Sequence, residues 1–88
     1  MKTYYKKQET IHNLQQNLYT YSLSLIKRLK ELYDNKKITE TQFKNADLIL
    51  SITSYNLGCC SKRYSLTGLK KIQDRFNKYN QELQTLEK

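Results

Sequence analysis

The chain is expected to be all-α, a small antiparallel three-helix bundle, and three observations predict it. Its 88 residues include no Pro and only two Gly, which suits long helices joined by short polar turns and leaves a sheet protein without its turn residues. Leu69, Ile72, Phe76, Tyr79, Leu83 and Leu86 fall at steps of 3, 4, 3, 4 and 3. That 3.5-residue period marks an amphipathic helix whose narrow apolar stripe must be covered by another helix. Finally, Thr39 stands three residues before Gln42, flanked by Ile38 and Phe43, which writes out a capping box and a hydrophobic staple at a helix start.

The elements follow in order. Residues 1–8, Met1-Lys2-Thr3-Tyr4-Tyr5-Lys6-Lys7-Gln8, carry positive charge without an apolar run behind it, so they read as a flexible basic and aromatic arm rather than a secretory signal. A first helix spans about 8–33, with Ile11, Leu14, Leu18, Leu25, Leu29 and Leu32 on one face and Tyr19, Leu23, Ile26 and Tyr33 widening it. Asp34-Asn35-Lys36-Lys37 breaks that rhythm, and so short a connection makes the next helix an antiparallel neighbour.

The second helix covers 40–58 or 40–63. Phe43, Ala46, Leu50 and Leu57 take one face while Leu48, Ile49, Ile52 and Tyr55 fill much of the rest, and a helix apolar on nearly all sides is expected to be the buried one. Gly58 is either its C′ residue or an interior position. Ser65 caps a third helix over 65–87, with Tyr64 and Leu69 as its staple. Gly68 stands where Glu or Gln would complete a capping box, so fusion of the second and third helices into one long helix is the alternative. The whole is one domain, 1–88, near the size at which a single core only just suffices.

Sixteen Lys and Arg against eight Asp and Glu give a formal charge of +8. On so small a body that potential attracts polyanions or acidic protein faces. Lys62, Arg63, Lys70, Lys71, Arg75 and Lys78 face a single Asp74 between Cys59 and Asn80, and Lys71, Arg75 and Lys78 at i, i+4 and i+7 form a ridge about 10 Å long that can contact successive phosphates. Aromatics sit beside bases in Tyr4-Tyr5-Lys6-Lys7 and in Lys62-Arg63-Tyr64, the residue chemistry of single-strand stacking. Tyr4, Tyr5, Lys6, Lys7, Lys62, Arg63, Tyr64, Lys70, Lys71, Arg75 and Lys78 are therefore the candidate contacts to a nucleic acid or an acidic partner.

Other chemistries find little support. Cys59 and Cys60 are adjacent and cannot bridge without strain; with His12 as the sole His they fall short of a zinc set. No phosphate-cradling loop, nucleophile motif or placed carboxylate pair is visible, so no catalytic, cofactor or metal site is assigned. The segment 38–54 lacks the Gly-containing turn of a helix-turn-helix. The longest apolar cluster, around Leu48-Ile49-Leu50, is far short of the roughly 20 residues that span a bilayer, and the chain reads as cytoplasmic.

Two functions follow. The first is a small basic nucleic-acid-associated regulator that holds phosphates without reading sequence; a composition rich in Lys, Asn, Ile, Tyr and Gln fits an AT-rich phage or plasmid gene. The second is a protein-binding helical module that inhibits or neutralises another macromolecular machine, as a defence-system inhibitor or immunity protein does. A homodimer through the Leu69 to Leu86 stripe is a further arrangement. A continuous positive face would favour the first, and an exposed apolar patch of several hundred Å² the second.

Overall fold

The computed structural model describes the backbone of residues 2–59 and 63–88 and the side chains of residues 9–59 and 63–88. Among the described residues there are three helices, α1 (Lys2–Asp34), α2 (Glu40–Cys59) and α3 (Leu66–Glu87). The all-α three-helix bundle is as expected, but two boundaries move.

The helix backbone begins at Lys2 rather than near Gln8, because nothing between Thr3 and Thr10 stops a helix that the core nucleates further along. Residues 2–8 are thus the first turns of α1. The longer reading of the second helix and its fusion with the third are corrected as well: α2 ends at Cys59, and Arg63, Tyr64 and Ser65 are non-helical. Ser65, in extended conformation, accepts a hydrogen bond from the Gly68 amide at 3.1 Å and starts α3 afresh. One capping bond suffices there without the reciprocal Glu or Gln.

The α1–α2 turn forms as its residues dictate. Lys36 adopts φ 61°; its amide donates to Tyr33 O and that of Lys37 to Leu32 O, the pair of bonds that closes a helix C-terminus. Thr39 and Gln42 then exchange hydrogen bonds, the Thr39 amide to Gln42 Oε1 at 2.9 Å and the Gln42 amide to Thr39 Oγ1 at 3.1 Å. Ile38 and Phe43 pack against the core as the staple. Phe43 also stacks on Tyr33, with ring centroids 4.6 Å apart.

Direction follows from the contacts. Tyr33 meets Phe43 at one end of the α1–α2 pair while Gln15 meets Leu57 at the other, so α2 is antiparallel to α1. Tyr21 meets Phe76, and Arg28 meets Asn80 and Glu87, so α3 runs parallel to α1. On α1, Gln15, Leu18, Ser22, Leu25, Leu29 and Leu32 are buried, and their heptad-like spacing forms the seam on which Leu50 and Leu57 of α2 and Leu69, Phe76 and Leu83 of α3 close.

α1 is therefore the central helix. Among the described residues no Cα of α2 lies within 8 Å of one of α3, whereas both helices approach α1 that closely. The expectation that α2 is the buried helix is corrected. Leu48 is 61% exposed, Ile52 53% and Tyr55 68%, because a helix with one close helical neighbour can hide only the side turned to it. The Leu69 to Leu86 stripe is spent inside the chain: Leu69, Phe76 and Leu83 are buried, and only Leu86 at its end is largely open. The buried members of the stripe are therefore engaged within the chain.

Candidate functional site

The separation of α2 from α3 leaves a groove floored by α1. Leu29 lies at its base, Ile38, Ala46 and Ile49 form one wall, and Tyr79, Leu83 and Leu86 form the other, around a volume of about 370 Å³. Gln42 and Asn45 rim the α2 side and Glu82 the α3 side. Ile49 and Leu86 are each more than two-fifths exposed, so the walls are apolar and open to solvent.

Basic residues stand on the α3 wall. Arg75 and Lys78, with Tyr79 and Glu82, line a shallow hollow of about 220 Å³ that shares Tyr79 and Glu82 with the groove. Lys70, Lys71, Arg75 and Lys78 are all exposed, and since α3 is unbroken from Leu66 to Glu87, Lys71, Arg75 and Lys78 share one ridge. The ion pairs among the described residues are Arg28 with Glu87 and Lys44 with Glu40. None of the four α3 cations has a carboxylate within 4 Å there.

The remaining candidates separate. Tyr4, Tyr5, Lys6 and Lys7 lie in the first turns of α1, with side chains outside the described residues; Lys62 also lies outside them. Arg63 is exposed. Tyr64 is half-buried against the core as the staple of α3, and burial raises its hydroxyl pKa. That is the setting of a residue that packs on the core. The structure thus brings Arg75 and Lys78 to one site and leaves Tyr64 apart from it.

Several residues that hold the site were not legible in the sequence. Gln15 Nε2 donates to the Leu57 carbonyl at 3.0 Å across the α1–α2 contact, satisfying one of the carbonyls that the end of a helix leaves open. Arg28 grips Glu87 through two nitrogens and donates to Asn80 Oδ1. The guanidinium hydrogen bond holds the Glu87 carboxyl below its ordinary pKa, and the same bond raises the pKa of Arg28. Lys37 Nζ donates to the Glu87 carbonyl at 3.3 Å, so the α3 end of the groove is fixed to the α1–α2 turn. For the groove residue Ile49 a signal did exist: three helices cannot cover an α2 that is apolar on nearly all sides.

Among the described residues no three His, Cys, Asp or Glu gather as a metal set, and no helix is long and apolar enough to cross a membrane. Cys59 is exposed at the end of α2, and Cys60 lies outside the described residues. Comparison with protein-family models, curated proteins and solved structures finds no match.

Proposed function

We propose that the protein is a protein-binding helical module that receives an amphipathic helix of its partner in the groove between α2 and α3. The observation that carries this reading is the coincidence of two properties in one place. The walls are apolar and solvent-open, and Arg75 and Lys78 border the α3 wall with no carboxylate partner among the described residues. A helix laid over Leu29 acts as the fourth member of a bundle, burying its apolar ridge on Ile49, Leu83 and Leu86. Carboxylates on its flank meet Arg75 and Lys78, and the net charge of +8 speeds the encounter. A single small domain that occupies a partner's helix in this way is suited to inhibit or neutralise a larger machine, the role of a phage- or plasmid-encoded inhibitor or immunity protein.

The test uses a labelled peptide of about five helical turns, with Leu along one stripe and Glu along the flank, titrated with the protein in a fluorescence anisotropy assay. Ile49→Lys and Lys78→Glu each weaken binding tenfold or more, about 1.4 kcal/mol, and a peptide with Lys in place of Glu does not bind. If the Glu peptide binds the wild type no better than a scrambled one, the groove reading fails.

A second reading, a nucleic-acid-associated regulator that holds phosphates along Lys71, Arg75 and Lys78, is favoured by one observation: these exposed cations make no ion pair among the described residues. Generic duplex DNA would then bind with a steep loss of affinity as salt rises, and absence of binding at about 50 mM salt sinks it.

A further inference from the structure

We infer that the outer face of α2 is a homodimer seam, where two copies pair α2 against α2 in antiparallel orientation. Leu48, Ile52 and Tyr55, at i, i+4 and i+7, form one stripe, and each is more than half exposed. On one flank the stripe is continued by Leu23 of α1, 45% exposed, which shares a surface hollow with Ser51 and Tyr55. The other flank turns at Ile49 into the groove, which the seam leaves open. The seam and the groove share the edge of α2 at Asn45 and Ile49 and are otherwise lined by different residues.

Charge decides what covers this face. From Asn45 to Cys59 the sequence carries one ionisable carboxylate, Asp47, and no Lys or Arg, in a chain of net charge +8. Asp47 is half-buried, and the exposed neighbours of the stripe, Asn45 and Ser51, are uncharged. An acidic partner or a polyanion gains nothing from an uncharged stripe while cations stand open on α3. A second copy has the opposite requirement. Two bodies of charge +8 repel, and they come into contact most favourably where neither brings cations to the other. The α2 stripe meets that requirement and supplies the apolar area as well.

Orientation follows from the same ledger of charges. In a parallel pair Lys44 would lie against Lys44 of the second copy. An antiparallel twofold between Ser51 and Ile52 instead sets Leu48 against Tyr55 of the second copy, with Lys44 at the far ends beside its own Glu40, 2.9 Å away. The small Ser51 near the axis permits close approach of the two backbones.

Light scattering coupled to size exclusion, at about 100 μM, is expected to give a weight-average mass of about 1.5 to 1.8 times that of one 10.6 kDa chain, since a dimer with a Kd in the tens of micromolar is mostly but not wholly assembled there. Ile52→Lys, at an exposed position, is expected to give the monomer mass with an unchanged circular dichroism spectrum and, at about 1 μM where both proteins are monomeric, an unchanged Tm. Raising salt is expected to tighten the dimer, because screening relieves the repulsion of two cationic bodies; binding through the basic ridge weakens under the same change. In a background with Cys59→Ser and Cys60→Ser, a short thiol cross-linker joins Ser51→Cys chains. It does not join Asn45→Cys chains, whose thiols in the antiparallel pair are about 20 Å apart along the helix. A monomer at this concentration, a dimer that loosens with salt, or the reverse cross-linking pattern overturns the inference.

Discussion

Lys36 is a residue whose backbone works against its side chain. Its φ of 61° lies in the left-handed region, where a Cβ costs roughly 1 kcal/mol and Gly costs nothing. The hydrogen bonds from Lys36 and Lys37 to Tyr33 and Leu32 fix that conformation. Lys36→Gly keeps those bonds and removes the strain, so stability is expected to rise by about 0.5 kcal/mol once the extra freedom of Gly in the unfolded chain is subtracted; a lowered urea midpoint would contradict this. Gly58 presents the reverse case. It lies within α2 with no positive φ, so it is not the C′ residue of a helix end; its role is steric. A Cβ there would come 2.6 Å from Cε1 of Tyr19. Overpacking of about 1–3 kcal/mol exceeds the roughly 1 kcal/mol of helix propensity gained. Gly58→Ala is therefore expected to destabilise by about 1 kcal/mol, and an unchanged or raised midpoint would show that Tyr19 yields freely.

At the scale of elements, α3 shows how a stripe is assigned to its partner. Phe76 is buried and meets Tyr21 of α1 edge-on with ring centroids 5.7 Å apart, while Tyr21 Oη donates to Asn77 Oδ1 at 3.1 Å. These contacts lie within one chain. Phe76→Asp is consequently expected to unfold the monomer, since an unpaired carboxylate in that position costs several kcal/mol. Helical circular dichroism retained in a species of halved mass would return the stripe to a dimer seam. The spacing of Leu69 to Leu86 was sufficient to place a helix and name its apolar side. It could not say whose helix covers that side, because a partner in the same chain and one in a second copy impose the same 3.5-residue period.

For the molecule as a whole, α1 is a spine about 50 Å long within an envelope of 53 × 24 × 16 Å. The lower end of the assembly is joined by Arg28, Glu87 and Lys37, which tie α1, the turn and the end of α3. The sign of the resulting pH dependence follows from Glu87, whose carboxyl is held below its ordinary value by the Arg28 hydrogen bond. Its contribution is complete above the unfolded value of about 4.3. It is lost as pH falls through that value towards the lower folded one. Between about pH 6 and 3 the Tm of Glu87→Gln is expected to fall less than that of the wild type. Identical profiles would show that the tie contributes nothing to acid stability.

Local chemistry alone determined the helical stretches, the Thr39 capping box, the Ser65 cap and the apolar stripes of α1 and α3, since period, caps and staples are written within a few neighbouring residues. Tertiary structure decided which helix is central and which stripe is consumed. α1, less apolar overall than α2, became the spine because its seam from Leu18 to Leu32 meets both other helices, and α2 was left with Leu48, Ile52 and Tyr55 in solvent. Burial depends on how many neighbours surround a helix. That number is a property of the packed chain and is recorded in no single stretch of it.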